Sequence, residues 1–122
     1  MAGIAKITEV LASAARIATA TSDYIEAELY EEAQLFLLVT AKTGSPTSLD
    51  VAVQYTYDGG TTFVAPNTAE AFTQVTGATS TQLIKLSNLG DGFRVVGTMA
   101  GGSAGNGFTY SVVAVLKGHN FG

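Results

Sequence analysis

From residue 35 onward the chain alternates apolar and polar side chains with a period of two, the pattern of strands that bury one face. In residues 49–57 the apolar set is Leu49, Val51, Val53, Tyr55 and Tyr57, set against Asp50, Ala52, Gln54 and Thr56. In residues 93–99 the inward set is Phe93, Val95, Gly97 and Met99, and in residues 108–116 it is Phe108, Tyr110, Val112, Ala114 and Leu116. Residues 35–41 are apolar on both faces, which predicts a central strand or one covered by a partner. Residues 71–75 and 81–87 read as weaker strands. Turn chemistry falls between these runs: Thr43-Gly44-Ser45-Pro46, Asp58-Gly59-Gly60, Gly90-Asp91-Gly92 and the glycine-rich stretch 101–107. Short strands joined by such turns predict an all-β, antiparallel sandwich of jelly-roll or immunoglobulin-like type.

The first 34 residues fit two templates. Ile7, Val10, Leu11, Ala14, Ile17 and Ala18 recur at helical spacing, while Ala18-Thr19-Ala20-Thr21 alternates like a strand. Alanine favours helix, and threonine and isoleucine favour strand. In residues 24–34, Tyr24, Ile25, Leu29 and Ala33 would line one face of a short helix. The organisation expected is an extended arm or first strand over 1–22, a sandwich over 23–118 and a tail over 119–122.

A length of 122 residues suits one domain. The absence of cysteine excludes disulfides and thiolate metal sites, so the core must hold the fold unaided. Only 13% of residues are charged, about half the usual share. A small monomer depends on charge for solubility, so part of this surface is expected to lie against partners. The net charge of −4 and the scattering of Lys6, Arg16, Lys42, Lys85, Arg94 and Lys117 disfavour nucleic acid. No apolar run approaches the ~20 residues of a membrane span, and the N-terminus does not have the dense apolar centre of a signal peptide. The expected compartment of synthesis is the cytoplasm. Asp23, Glu26, Glu28, Glu31 and Glu32 crowd one ten-residue stretch with no base among them.

Catalysis is poorly supplied. The one histidine, His119, is the fourth-last residue, where a solvated tail residue is the plain reading rather than a triad base. The acidic stretch lacks the glycine-punctuated spacing of a calcium loop and reads as a solvated face. The glycine-rich 101–107 stretch has no following lysine or helix to make a phosphate cradle, and reads as a hairpin tip. No metal or cofactor is expected. Tyrosines could form a sugar-stacking platform, an idea weakened by the absence of tryptophan. The most specific short pattern is Thr56-Tyr57-Asp58-Gly59-Gly60-Thr61-Thr62-Phe63. It is similar to the Asp-box turn of sialidases, in which an aspartate accepts backbone N–H bonds, a glycine takes the left-handed turn and an aromatic plugs inward. Asp58, Gly59, Gly60 and Phe63 are therefore assigned to a structural turn.

The order of segments resembles that of small virion proteins of tailed bacteriophages and prophages. The residues that carry the resemblance are Val10-Leu11-Ala12-Ser13-Ala14-Ala15-Arg16, Leu35-Phe36-Leu37-Leu38-Val39-Thr40-Ala41, Ser48-Leu49-Asp50-Val51-Ala52-Val53-Gln54-Tyr55, Gly92-Phe93-Arg94-Val95-Val96 and Phe108-Thr109-Tyr110-Ser111-Val112. It spans roughly residues 9–116. The departure is the acidic stretch 24–34, where the family has a short polar loop. The resemblance implies a β-sandwich without enzymatic activity, found in virions. On that basis the leading expectation is a capsid decoration (cement) protein that stabilises the head by interface burial. Its partners would be the major capsid protein or other virion proteins, and it would form a homo-oligomer, a trimer being favoured. Tail or head–tail joining components and a carbohydrate-binding module for host adsorption are the alternatives. The residues expected to meet a partner are Ile4, Ile7, Val10, Leu11 and Ile17 of the arm, and Glu28, Glu31 and Glu32 of the acidic stretch.

Overall fold

The alternating segments pair as one long hairpin wrapped on itself. The computed structural model describes residues 5–66, 71–87, 89 and 91–118. Among these are nine strands: β1 (Ala5–Arg16), β2 (Ala20–Thr21), β3 (Ile25–Glu26), β4 (Glu32–Thr43), β5 (Ser48–Thr56), β6 (Phe63–Val64), β7 (Ser80–Ser87), β8 (Gly92–Ala100) and β9 (Gly107–Lys117). Pairing is nested: β1 with β9, β2 and β3 with β8, β4 with β7, and β5 with β6, all antiparallel. Cross-pairing of β4 with β9 and of β5 with β8 closes two sheets. The first has the order β1-β9-β4-β7, and the second β2-β8-β5-β6 with β3 also on β8. Nested pairing across two sheets is jelly-roll topology, which settles the choice left open by the strand pattern.

β2 and β3 are one edge strand interrupted at Ser22. There the Ser22 N–H donates to the Val95 carbonyl at 2.8 Å, and the Ser22 hydroxyl accepts from the Val95 N–H at 2.9 Å. A side-chain oxygen thus replaces a backbone carbonyl, and the ladder stays satisfied through the break. The other edge of this sheet is also composite. Tyr55 and Thr56 pair with β6, while Leu49 and Ala52 bridge to Val75 and Ala71.

The core is the parity set read from the sequence. Leu35, Leu37, Val39, Phe108, Tyr110, Val112, Ala114 and Leu116 from the first sheet meet Leu49, Val51, Val53, Phe93 and Val95 from the second. Phe72, Val75, Leu89 and Ala27 are buried with them. Burial of each large side chain contributes about 1.5–3 kcal/mol, which offsets the ordering of the backbone. Tyr57 departs from the pattern and is largely exposed, because β5 ends at Thr56 and the turn reverses the parity.

One expectation is corrected and one choice is settled. No helix forms among the described residues, and 24–34 instead holds β3, a turn and the start of β4. Its backbone groups bond to distant strands: Ala27 N–H to the Asp91 carbonyl and Glu31 N–H to the Lys117 carbonyl. Leu29, expected on a buried helical face, is 68% exposed, while Ala27 is fully buried. Of the two readings of the N-terminal region, arm or first strand, the first strand is the one formed from residue 5 on. β1 lies along the full length of β9 and contributes Val10 and Leu11 to the core.

Candidate functional site

The two sheets expose very different outer faces. The second is polar and satisfies itself. Asp50 and Gln54 of β5 alternate with Ala52, and Arg94 and Thr98 of β8 lie opposite Gln54 and Asp50. Arg94 Nε donates to Gln54 Oε1 at 2.8 Å, and the Gln74 amide donates to Asp50 at 3.0 Å. The Arg94 guanidinium also lies 4.0 Å from the Phe63 ring centre.

The first sheet breaks that rule. Reading across β1, β9, β4 and β7, one outward row is Ile7, Val115, Gln34 and Lys85, and the next is Glu9, Val113, Phe36 and Leu83. Ser111, Leu38 and Thr81 follow, and Lys117, Glu32 and Ser87 precede. Ile7 is 75% exposed and Leu83 48%. Phe36, Leu38, Val113 and Val115 are half-buried, held only by their neighbours in the same sheet face. A solvated sheet face should alternate to polar residues. This one carries a continuous apolar centre, the kind of patch that marks an interaction surface. Sequence reasoning found its β4 part in the two-faced run 35–41. It missed Val113, Val115 and Leu83, because register decides which strands lie side by side, and a single strand's pattern does not.

The acidic stretch gathers at one end of the sandwich. Glu26, Glu28, Leu29, Tyr30 and Lys6 line a shallow hollow there. The turn after β5 joins the same end, since the Gly59 N–H donates to Asp91 Oδ2 at 3.2 Å and the Tyr24 hydroxyl to the Asp91 carbonyl at 2.9 Å. Burial pushes the Tyr24 hydroxyl above its ordinary value, and Asp91, Glu26 and Glu28 add to the rise. The opposite end carries Arg16 and Lys42. There Ala15, Arg16, Ile17, Asn106, Gly107 and Phe108 are among the residues lining an apolar hollow of about 220 Å³.

The residues expected at a partner contact are therefore dispersed. Ile7 lies on the apolar face, Ile17 is 47% exposed at the far hollow, and Glu28, Glu31 and Glu32 are exposed at the acidic end. Val10 and Leu11 are each only 8% exposed and pack into the chain's own core, so the folded chain does not present them to a partner. Ile4 and His119 lie outside the described residues.

The Asp58 turn has the geometry its motif implies. Asp58 Oδ1 accepts from the Thr62 N–H at 2.8 Å, the Thr61 N–H at 3.2 Å and the Thr56 hydroxyl at 2.9 Å. Gly59 and Gly60 take φ of 71° and 97°, open to glycine at little cost. The Thr62 N–H, foremost among these donors, holds the Asp58 carboxyl below its ordinary value of 3.8. Phe63 is half-buried and meets Tyr24 edge-on, with ring centres 6.3 Å apart. All of these bonds are internal, and the turn presents no reacting group. Among the described residues no group of three or more His, Cys, Asp or Glu is placed to hold a metal ion. Of the five tyrosines, Tyr57 alone is largely exposed, so the tyrosines do not assemble one platform. No helix among the described residues is long and apolar enough to cross a membrane.

No protein-family model and no curated protein sequence matches the chain. Solved structures do. The chain is similar to the SPBc2 prophage-derived protein YomS, with a TM-score of 0.52 and 13% identity over 93% of this chain and 95% of that one. It is similar to a chain in the structure of infectious bursal disease virus, Gx strain, with a TM-score of 0.52 and 16% identity. That match covers 98% of this chain and 33% of the viral one, so the whole of this chain corresponds to about a third of its neighbour. At these identities the likeness is one of fold: both neighbours share the two-sheet sandwich.

Proposed function

We propose that the protein is a structural component of a tailed-phage or prophage virion, and specifically a capsid decoration protein. The observation that carries this reading is the apolar outer face of the first sheet. Such a molecule is suited to bury surface rather than to transform a substrate. The sandwich likeness to a prophage-derived protein over nearly the full length of both chains supports the same reading. Fold alone does not choose among functions, so the surface features decide.

Two surfaces serve two contacts in this account. The apolar face supports self-association. The acidic end, with Glu28, Glu31 and Glu32, faces a basic surface of the major capsid protein or a neighbouring virion protein. Interface burial contributes about 25 cal/mol per Å² of apolar area before association costs, and repeated over a shell it strengthens every joint it spans. Synthesis is in the host cytoplasm and residence is in the virion. Mass spectrometry of purified particles tests the reading. Decoration predicts on the order of hundreds of copies, as repetition over a symmetric shell requires. A dozen or fewer would assign the chain to a tail or head–tail joint, and absence from the particle would overturn the proposal.

A further inference from the structure

We propose that the apolar face of the first sheet is the contact between two copies of this chain, packed face to face about a two-fold axis parallel to the strands. The proposal rests on the structural-assembly reading above and names the partner for one of its surfaces.

Three observations select a second copy. The first is charge. The outward positions of this face carry two acids, Glu9 and Glu32, and two bases, Lys85 and Lys117, so the face is neutral in a chain of net charge −4. Two such faces meet without the repulsion that two acidic ends would impose. The second is the placement of those charges. Glu9 stands on the β1 edge and Lys85 on the β7 edge, one row apart, with Val113, Val115 and Phe36 between them. A two-fold axis along the strands lays each β1 over the partner's β7. That brings Glu9 of one copy diagonally opposite Lys85 of the other, about 7 Å apart along the strand, twice per pair. It also lays Phe36 over Val113 in both directions. An axis across the strands would oppose β1 to β1 and so acid to acid. Self-complementarity of this kind is what an isologous contact demands. The third is area. A face four strands wide and about nine residues long spans roughly 600 Å². With side-chain relief it comes within reach of the ~800 Å² per partner of a standard interface. The packing is that of two sandwich sheets, aligned within about 30°. A pair of this kind is two-fold, whereas the resemblance to virion proteins favours a trimer.

The experiment is sedimentation equilibrium on the full chain, with circular dichroism and thermal melting to confirm that each variant folds. The wild-type chain is expected to dimerise. Leu83→Glu and Glu9→Lys should each weaken the dimer by roughly tenfold or more, because the first sets an acid opposite the partner's Glu9 in the same row, the second sets a base beside the partner's Lys85, and every substitution acts twice across the axis. The double exchange Glu9→Lys with Lys85→Glu should recover most of the loss of Glu9→Lys, since it restores opposite charges across the axis. A wild-type chain that stays monomeric would overturn the proposal. So would dimers that fold normally and ignore all three substitutions, or a double exchange no better than Glu9→Lys. These outcomes are separate from the particle test. A monomer abundant in virions refutes this pairing alone, and a dimer absent from virions refutes the decoration reading alone.

Discussion

Tyr110 places a hydroxyl in the middle of an otherwise apolar core. It is fully buried, and its oxygen has no hydrogen-bond partner among the described residues. Burial pushes its ionisation upward, and the Arg16 guanidinium, 4.6 Å from the ring centre, pulls the other way. The hydroxyl fits because Gly97 lies beneath it, where an added Cβ would collide with the oxygen. The pair predicts a thermodynamic cycle. Gly97→Ala should cost about 1–3 kcal/mol by overpacking. Tyr110→Phe should raise stability by up to about 1 kcal/mol, since it removes an unsatisfied buried group. Combined with Tyr110→Phe, the alanine should cost clearly less, and simple additivity in denaturant melts would contradict the contact. Asp58 gives a prediction in pH. Its folded pKa lies below the ordinary 3.8, so its stabilising effect is fully present above that value and is lost as pH falls through the lower folded pKa. Asp58→Asn should therefore lower the melting temperature at neutral pH, and the gap should close in strong acid. A gap that does not change with pH would show that the charge is irrelevant to the turn. This turn was readable from sequence because its bonds join residues only two to four apart. The Tyr110–Gly97 contact was not, since it crosses from one sheet to the other.

β1 shows why helix and strand templates both fitted the N-terminal sequence. Its register shifts twice against β9, between Glu9 and Leu11 and between Leu11 and Ala14. A bulge inserts a residue and breaks the period of two. Val10 and Leu11 are thereby both turned to the core, and with Ile7 they imitate helical spacing. The bulged end is held by Arg16, whose guanidinium donates to the carbonyls of Ala12, Ala14 and Tyr110, the last at 2.6 Å. Arg16→Ala should cost about 1–2 kcal/mol, in the range of charge-assisted bonds to backbone, and should speed hydrogen exchange in β1 before the rest of the sheet. Uniform exchange across both sheets would contradict a local role. Removing residues 5–12 would test folding rather than partner binding, because it strips β9 of one of its two neighbours. The segment 24–34 fits a helical template in sequence for a related reason. Its helical pattern ignores Ser22 and Asp91, which fix the chain as an edge strand and turn through long-range bonds. The strands β4, β5, β8 and β9 were legible because each buries one face along an unbroken alternation or, in β4, lies between two neighbours.

At the scale of the molecule, the low charge has a location. The inner faces of both sheets account for most of the apolar excess, and the outer face of the first sheet carries a further continuous part of it. Asp23, Glu26, Glu28, Glu31, Asp58 and Asp91 collect around β3 and its neighbouring turns, while Arg16 and Lys42 stand at the other end. The molecule is therefore polarised along its strands, with an apolar flank between the poles. Fold class and core parity could be read from sequence. The apolar face could be read only in part, since its rows join residues as far apart as Ile7 and Val115. The central claim is that this is a virion protein whose apolar flank is covered in the assembled particle. A density map of the intact virion tests it most directly. The sandwich is expected at many symmetry-related sites on the outside of the head, with Ile7, Phe36, Leu83 and Val113 buried against another chain. Density placing that flank bare to solvent, or a particle with no such sandwich in it, would contradict the claim.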